Sequence, residues 1–466
     1  MPPNLPSELI DLIIGRVAQF ASKTEHNHAL SSTALVSHSF RFRAHSHLFS
    51  DVIISSNTRR FDQATERLDV LRKLIDADRH SECNGIASHI RTFELSISRP
   101  YDDEDSKVMA ATMVAIIGKI FKTGTSPCSF SLTFNGHWRW ESLEYFGPGF
   151  NSAFQDICRN PRLSTLRLSY LYGMPMDLLR HSSVKNISFI RVAFMDLSLN
   201  RTSTLADNPG REVFESSQAV CPESIETDFI YTYPLTSILD MTPNKDVPPN
   251  LLFSKLRVIV FHLYWSEKEE WDQAAGILAN AAPTLEKLTL KLNSRSTCVQ
   301  TPVYVFADLI DIVGLPDLPP HLTLHHLPLL KTLILSPLTN FLSSSISKEI
   351  NFIFRHQDHL PPSLENVELC FFFVVGPEDN PSDIFGRFDF SALDGFFSES
   401  RFHALTSLTF RCDVHFRTVP RPSSAHGLKE QFLENSRSSL LRRFPCISAE
   451  HKSLVFDAVI TCAKVT

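Results

Sequence analysis

The chain has 466 residues, well beyond an ordinary domain, so a single compact core does not account for it. Apolar residues make up 43% and charged residues 21%, ordinary globular usage that excludes general disorder, while 36 Phe against 15 Gly marks an aromatic-rich chain. A net charge of -6 lacks the clustered basic excess that nucleic acid or an anionic membrane requires, and no long apolar run offers a membrane span.

The opening residues Met1 to Pro6 carry no basic stretch followed by an apolar one, so no secretory signal is expected. The nine cysteines are evenly spread with no C-x-x-C pair, which predicts buried thiols in a reducing compartment, cytoplasmic and/or nuclear.

Pro6 suits the first turn of a helix, because the N–H it lacks would be unpaired there anyway. Leu5, Leu9, Ile13 and Val17 then fall on one stripe, and Ile10 and Ile14 widen it beyond a single core-facing strip. A second helical pattern runs from Ala29 to Phe40 and a third from Arg43 to Phe49, followed by a short strand at Asp51–Ile54. A module this small buries too little to be robust alone, so apolar positions around most of a helix suggest two partners: its own neighbours and another protein. Packing against the rest of the chain is the competing reading.

The run Leu5-Pro6-x-Glu8-Leu9-Ile10-x-x-Ile13-Ile14, then Ala34-Leu35-Val36-Ser37-x-x-Phe40-Arg41-x-Arg43 and His47-Leu48-Phe49, resembles the F-box motif, in particular that of F-box-like proteins from mushroom-forming fungi. The segment from Gln19 to Asn27 is longer than the usual link, and Phe40 stands where many F-boxes carry Trp. The resemblance implies binding of the Skp adaptor of cullin–RING ubiquitin ligases, through Leu5, Pro6, Leu9, Ile10, Ile13, Leu35, Val36 and Phe40.

Beyond the module an amphipathic helix is expected, with Phe61, Ala64, Leu68, Leu71 and Ile75 at spacings of three and four. One pattern then recurs: apolar, two residues, apolar, one residue, apolar. It occurs at Ile90-x-x-Phe93-x-Leu95, Leu163-x-x-Leu166-x-Leu168, Val184-x-x-Ile187-x-Phe189 and Leu256-x-x-Ile259-x-Phe261. It returns at Leu285-x-x-Leu288-x-Leu290, Leu330-x-x-Leu333-x-Leu335, Leu364-x-x-Val367-x-Leu369 and Leu405-x-x-Leu408-x-Phe410, with a degraded copy at Ile225 to Ile230. The last two apolar positions of each copy share one face of a strand, and the first caps the same core. Helical patterns lie between copies, as at Trp271, Ala274, Ala275 and Leu278, and at Ile346, Ile350, Ile353 and Phe354.

These features predict an α/β chain: a small helical F-box-like module at 1–55, a linking amphipathic helix at 56–88, an irregular leucine-rich-repeat-like solenoid of parallel strands with outer helices at 89–420, and a C-terminal cap at 421–466. Only the copy at Leu285 to Asn293 carries the turn Asn of regular repeats, so irregular turns are expected. Phe130, Leu132, Phe134, Trp138 and Trp140 flank Asn135-Gly136, which fits a β-hairpin or one repeat strand followed by a turn; the helical pattern resuming at Phe150 favours the second. Loops are expected at 101–105, 200–215, 242–250, 316–320 and 376–382, and a final helix at Leu428 to Phe444 before a strand or cap at Ser453 to Ile460.

Chemistry is thinly represented. Gly-x-Ser-x-Gly and Gly-Lys-Ser/Thr are absent, and Gly147-Pro148-Gly149 lacks a third Gly and loses a donor at Pro148. The pairs His26/His28, His45/His47 and His356/His359 lack Cys or carboxylate company, and no metal or other cofactor is expected. Trp138-Arg139-Trp140 reads as an outward Arg between packed rings. The expected function is a non-enzymatic substrate receptor of a Skp–cullin–F-box ubiquitin ligase, with a protein target of unknown identity on the solenoid. The alternative is a leucine-rich-repeat scaffold without ligase work.

Overall fold

The computed structural model describes residues 5–19, 23–55, 61–77, 85–98, 103–123, 126–139, 148–175, 179, 182–195, 222–228, 255–264, 268–293, 324–338, 353–354, 360–375, 390–416, 434, 444–449 and 453–462. The expected loops at 200–215, 242–250, 316–320 and 376–382, nearly all of the helix at 428–444, and the positions Ile346, Ile350, His356 and His359 lie outside them. The chain divides into two compact units, one holding residues 1–222 and the other essentially 223–466.

The first unit begins with three helices, α1 (Ser7–Val17), α2 (Lys23–Thr33) and α3 (His38–Leu48). Three boundaries differ clearly from the sequence expectation. The second helix starts six residues before Ala29 and stops at Thr33, and the third starts at His38 rather than Arg43. The cause is local: Ser37 is extended and its hydroxyl accepts the Phe40 N–H at 3.4 Å, which opens α3 and leaves Ala34, Leu35 and Val36 in a turn.

Next come β1 (Asp51–Ser55), α4 (Phe61–Ala77), α5 (Ile86–His89), β2 (Thr92–Ser98), α6 (Asp103–Thr123), β3 (Cys128–Arg139), α7 (Pro148–Arg159), β4 (Leu163–Tyr172), β5 (Met174–Pro175), β6 (Asn186–Ile190) and β7 (Phe194–Met195). α6 begins at Asp103, inside the loop expected at 101–105, and Pro148 takes the first position of α7. β1, β2, β3, β4 and β6 pair side by side, all parallel and in chain order. β3 is one parallel strand and not a hairpin, and it runs on through Asn135-Gly136 to Arg139, where the repeat reading expected a turn.

Register follows the repeated pattern. Val52, Phe93, Phe130, Leu166 and Ile187 stand level across the five strands, as do Ile54, Leu95, Leu132, Leu168 and Phe189. A slip of one residue would turn both rows out of the core, so burial itself fixes the pairing. The helices cover the buried side: Phe154 of α7 meets Phe130 edge-on at 5.8 Å, and Lys119 of α6 pairs with Asp76 of α4. Asn160 and Arg162 close the end of α6, donating to the Phe121 and Ile120 carbonyls at 3.3 and 2.7 Å.

At the far ends of β3, β4 and β6 the alternation slips. Leu168 and Leu171 are both buried with two outward residues between them, and so are Phe189 and Val192. Tyr170 and Arg191 take the left-handed conformation this requires, with φ 63° and 55°, and Gly136 at φ 108° marks the same slip in β3. A non-glycine residue there costs about 1–2 kcal/mol. Burying a Leu or Val returns about 1.5–3 kcal/mol, so the core wins.

The second unit contains β8 (Ser224–Asp228), β9 (Val258–Tyr264), α8 (Lys268–Ala281), β10 (Lys287–Asn293), β11 (Thr332–Leu338), β12 (Asn366–Val375), α9 (Phe390–Phe397), β13 (Ser407–Phe416), α10 (Pro445–Ala449) and β14 (Ser453–Cys462). Its strands are again parallel and in chain order. Ile225, Ile259, Leu288, Leu333, Val367, Leu408 and Leu454 form one level row. The degraded copy places Thr227 in an apolar slot, where its buried hydroxyl donates to the Asp228 carbonyl at 3.0 Å. Trp271, Ala274, Ala275 and Leu278 of α8 are all buried against these strands, as their spacing predicted.

Just before the strands, Glu223, Arg257, Glu286, Lys331, Glu365 and Thr406 are linked by successive backbone hydrogen bonds of 2.8–3.0 Å. Charges alternate along most of this rim, and Arg257 grips Glu286 with two bonds of 3.0 and 2.9 Å. Like charges on neighbouring strands would repel, so the alternation favours this order over the exchange of two adjacent strands within the charged run.

Candidate docking surface on the N-terminal helices

The three-helix module has a small core of its own. Ile10, Ile14, Leu30, Ala34, Phe40 and Ala44 are buried, with Val17 and Leu48 packed against them. The stripe Ile10–Ile14 faces inward, which turns Leu9 and Ile13 outward on the same helix.

Six of the eight candidate partner-binding residues are exposed: Leu5, Pro6, Leu9, Ile13, Leu35 and Val36. Leu35 and Val36 are 80% and 68% exposed, because the turn between α2 and α3 projects them with no neighbour above. Ile10 and Phe40 are placed differently, in the module's own core, so any contact with a partner falls to the other six. Leu12, 59% exposed, was missed by the sequence reading; it lies three residues past Leu9, on the side of Leu9 away from Ile10 and Ile14, and only a helical projection shows it facing out.

Leu5, Ser7, Ile10, His38, Phe42 and Arg43 line a shallow cleft beside this surface. Arg43 reaches back to Asp11 at 2.9 Å, an ion pair half open to solvent and so worth about 0–1 kcal/mol. The Arg41 guanidinium donates to the Ala34 carbonyl at 3.3 Å and braces the turn that carries Leu35 and Val36. With His38, Arg41, Arg43, His45 and His47 and no acid, α3 gives the apolar surface a basic border. Phe42 meets His89 of α5 edge-on at 4.7 Å, joining the module to the strand–helix part of the same unit.

The other residues weighed from sequence have structural settings. His45 packs on Phe49 at 5.4 Å. Trp138 stacks on Phe134 at 5.0 Å while Arg139 points to solvent; Trp140 lies outside the described residues. Among the described residues no three His, Cys, Asp or Glu side chains converge on a point that would hold a metal, and no helix is long and apolar enough to cross a membrane. Cys128, Cys158, Cys370 and Cys412 are buried free thiols as expected, but Cys446 is exposed.

Fold and surface thus define a class: a mixed α/β chain of parallel strands and helices that carries a small helical module with an outward apolar face. No family model matches the chain, and no curated protein matches its sequence.

Proposed function

We propose that this chain is an F-box-type adaptor. The helices α1 to α3 bind the Skp adaptor of a cullin–RING ubiquitin ligase. The strand–helix units act as an irregular leucine-rich-repeat-like solenoid that holds a protein target. No bond is made or broken by the chain itself. Holding a target beside a ubiquitin-loaded enzyme raises its effective concentration, and proximity does the rest.

One observation carries this reading: a module with a six-residue core leaves Leu5, Leu9, Leu12, Ile13, Leu35 and Val36 between 41% and 80% exposed. Single exposed apolar residues are ordinary, but six on so small a module call for a partner that covers them. Co-expression with a Skp adaptor tests it. The wild-type chain co-purifies, and Leu9→Asp with Ile13→Asp abolishes the complex; a complex that survives both substitutions contradicts the interface.

A further inference from the structure

The side of the first unit's sheet away from its helices differs from the N-terminal surface in chemistry. Outward positions are small and hydroxylated: Thr92 and Ser96 on β2, Ser129, Ser131 and Thr133 on β3, Thr165 and Ser169 on β4, Ser188 on β6. Ser131 and Ser188 are only 8% and 9% exposed, sunk on either side of the larger Arg167. The result is a shallow floor rich in hydroxyl groups, broken by one guanidinium.

At the strand ends this floor meets the slipped residues. Because two consecutive residues point outward at each slip, Tyr170 and Arg191 are projected beside Ser169 and Ile190, one step past the point where those two pair. The Arg191 guanidinium lies over the Tyr170 ring, 5.0 Å from its centre. Arg139 stands level with Tyr172 on the neighbouring strand. Glycine would meet the same backbone demand with less strain, as Gly136 does, yet a tyrosine and an arginine occupy these places.

The charge is one-sided. On β3, β4 and β6 the described outward residues include Arg139, Arg167 and Arg191 and no acid, and neither Arg139 nor Arg167 makes an ion pair among the described residues. Among the described outward residues on the unit's other parallel strands, the carboxylates are Glu94 on β2, level with Ser131, and Asp51 on β1. A nucleic-acid backbone wants a long basic stripe and would meet these carboxylates. An extended peptide with acidic residues at one end does not: its backbone can bond to the hydroxyl floor while its carboxylates reach the arginines.

We propose that the Tyr170–Arg191 pair, with Arg167 and Arg139, is a docking site for an acidic, extended peptide segment of a protein partner. The site rests on the reading that the strand–helix units hold a protein target; it is separate from the N-terminal apolar surface and stands whether or not that surface binds an adaptor.

The test is fluorescence anisotropy on the full chain with a labelled deca-glutamate peptide, and deca-lysine and inorganic phosphate as comparisons. Deca-glutamate binds, deca-lysine does not, and added salt weakens binding. Arg167→Glu lowers affinity at least tenfold, and so does Arg191→Gly, which removes the guanidinium while relieving the left-handed backbone. Arg257→Ala, on the other unit, changes nothing. Absence of deca-glutamate binding, equal binding by Arg167→Glu, or an equal loss in Arg257→Ala overturns the proposal; binding of phosphate without peptide reduces the site to one for small anions and overturns it too. Arg167→Glu lies on a regular stretch of strand and decides the matter even where Arg191→Gly folds poorly.

Discussion

Asp394 Oδ1 accepts the backbone N–H of Ile447 at 2.9 Å, across 53 residues of chain. Its other oxygen takes the Cys446 N–H at the same distance, so one carboxylate, itself 3% exposed, satisfies two of the free donors at the start of α10. Pro445 before them lacks a donor, so the short helix begins with its needs met.

Removing that carboxylate leaves two donors without partners. Asp394→Ala is expected to cost about 1–3 kcal/mol in urea unfolding, with Asp394→Asn milder because it keeps one acceptor oxygen. Hydrogen exchange reads it locally: the amides of Cys446 and Ile447 lose protection in the Ala variant. Unchanged protection would mean that α10 is held by packing alone, through Phe444 and Ile447.

The rim pair gives a pH signature. The Arg257 guanidinium bonded to Glu286 holds its carboxyl below the usual carboxylate range. A group whose pKa falls on folding stabilises above its unfolded pKa and ceases to do so as pH falls through the folded value. Wild type therefore exceeds Glu286→Gln in stability near neutral pH, and the gap closes as acid is added. The pair is exposed, so high salt narrows the gap as well. A gap that persists below the carboxylate range would contradict this origin.

Thiols titrate the other way. Burial pushes Cys158 and Cys370 from an ordinary 9.0 up to about 12, and Glu368 beside Cys370 adds to the rise there. Their contribution is complete below pH 9.0 and is lost as pH climbs toward 12, because the unfolded thiols ionise first. Site-resolved alkylation of the native protein at neutral pH should modify Cys446 and spare Cys128, Cys158, Cys370 and Cys412. Rapid labelling of Cys370 would show that its strand opens.

Within the N-terminal module, fold and docking separate by residue. Phe40→Ala empties a core position and is expected to cost about 3–5 kcal/mol. Leu35→Asp touches no core and leaves the melting temperature within a degree or two of wild type. Thermal unfolding of the two variants side by side checks the contrast; a large loss from Leu35→Asp would place that side chain against something in its own chain.

Much of the strand pairing was legible because each repeat carries its own register: two apolar residues two apart can face the core in one phase only. Two outer strands, expected at Asp51–Ile54 and as a strand or cap at Ser453 to Ile460, carry the same pattern although it was not among the copies read from the sequence. Phe49-x-x-Val52-x-Ile54 has the full pattern in β1, and β14 has Leu454 and Phe456 with polar His451 in the first place. The slips at Tyr170 and Arg191 were hidden, since Leu168 to Leu171 reads as helical spacing when its strand context is unknown. The limits of α2 and α3 turn on one hydroxyl, that of Ser37, against an apolar run that reads as a continuing helix. The bond from Asp394 to Ile447 had no local signal at all, because it joins residues far apart in the chain.

Calorimetric titration of a purified Skp adaptor into the full chain tests the central claim most directly. The account predicts saturable binding with a negative heat-capacity change, the mark of buried apolar surface. It also predicts that Leu35→Asp with Val36→Asp weakens binding at least about thirtyfold, equivalent to about 2 kcal/mol, while leaving the melting temperature in place. Undiminished affinity in that double variant, or no heat from the wild-type chain, would contradict it.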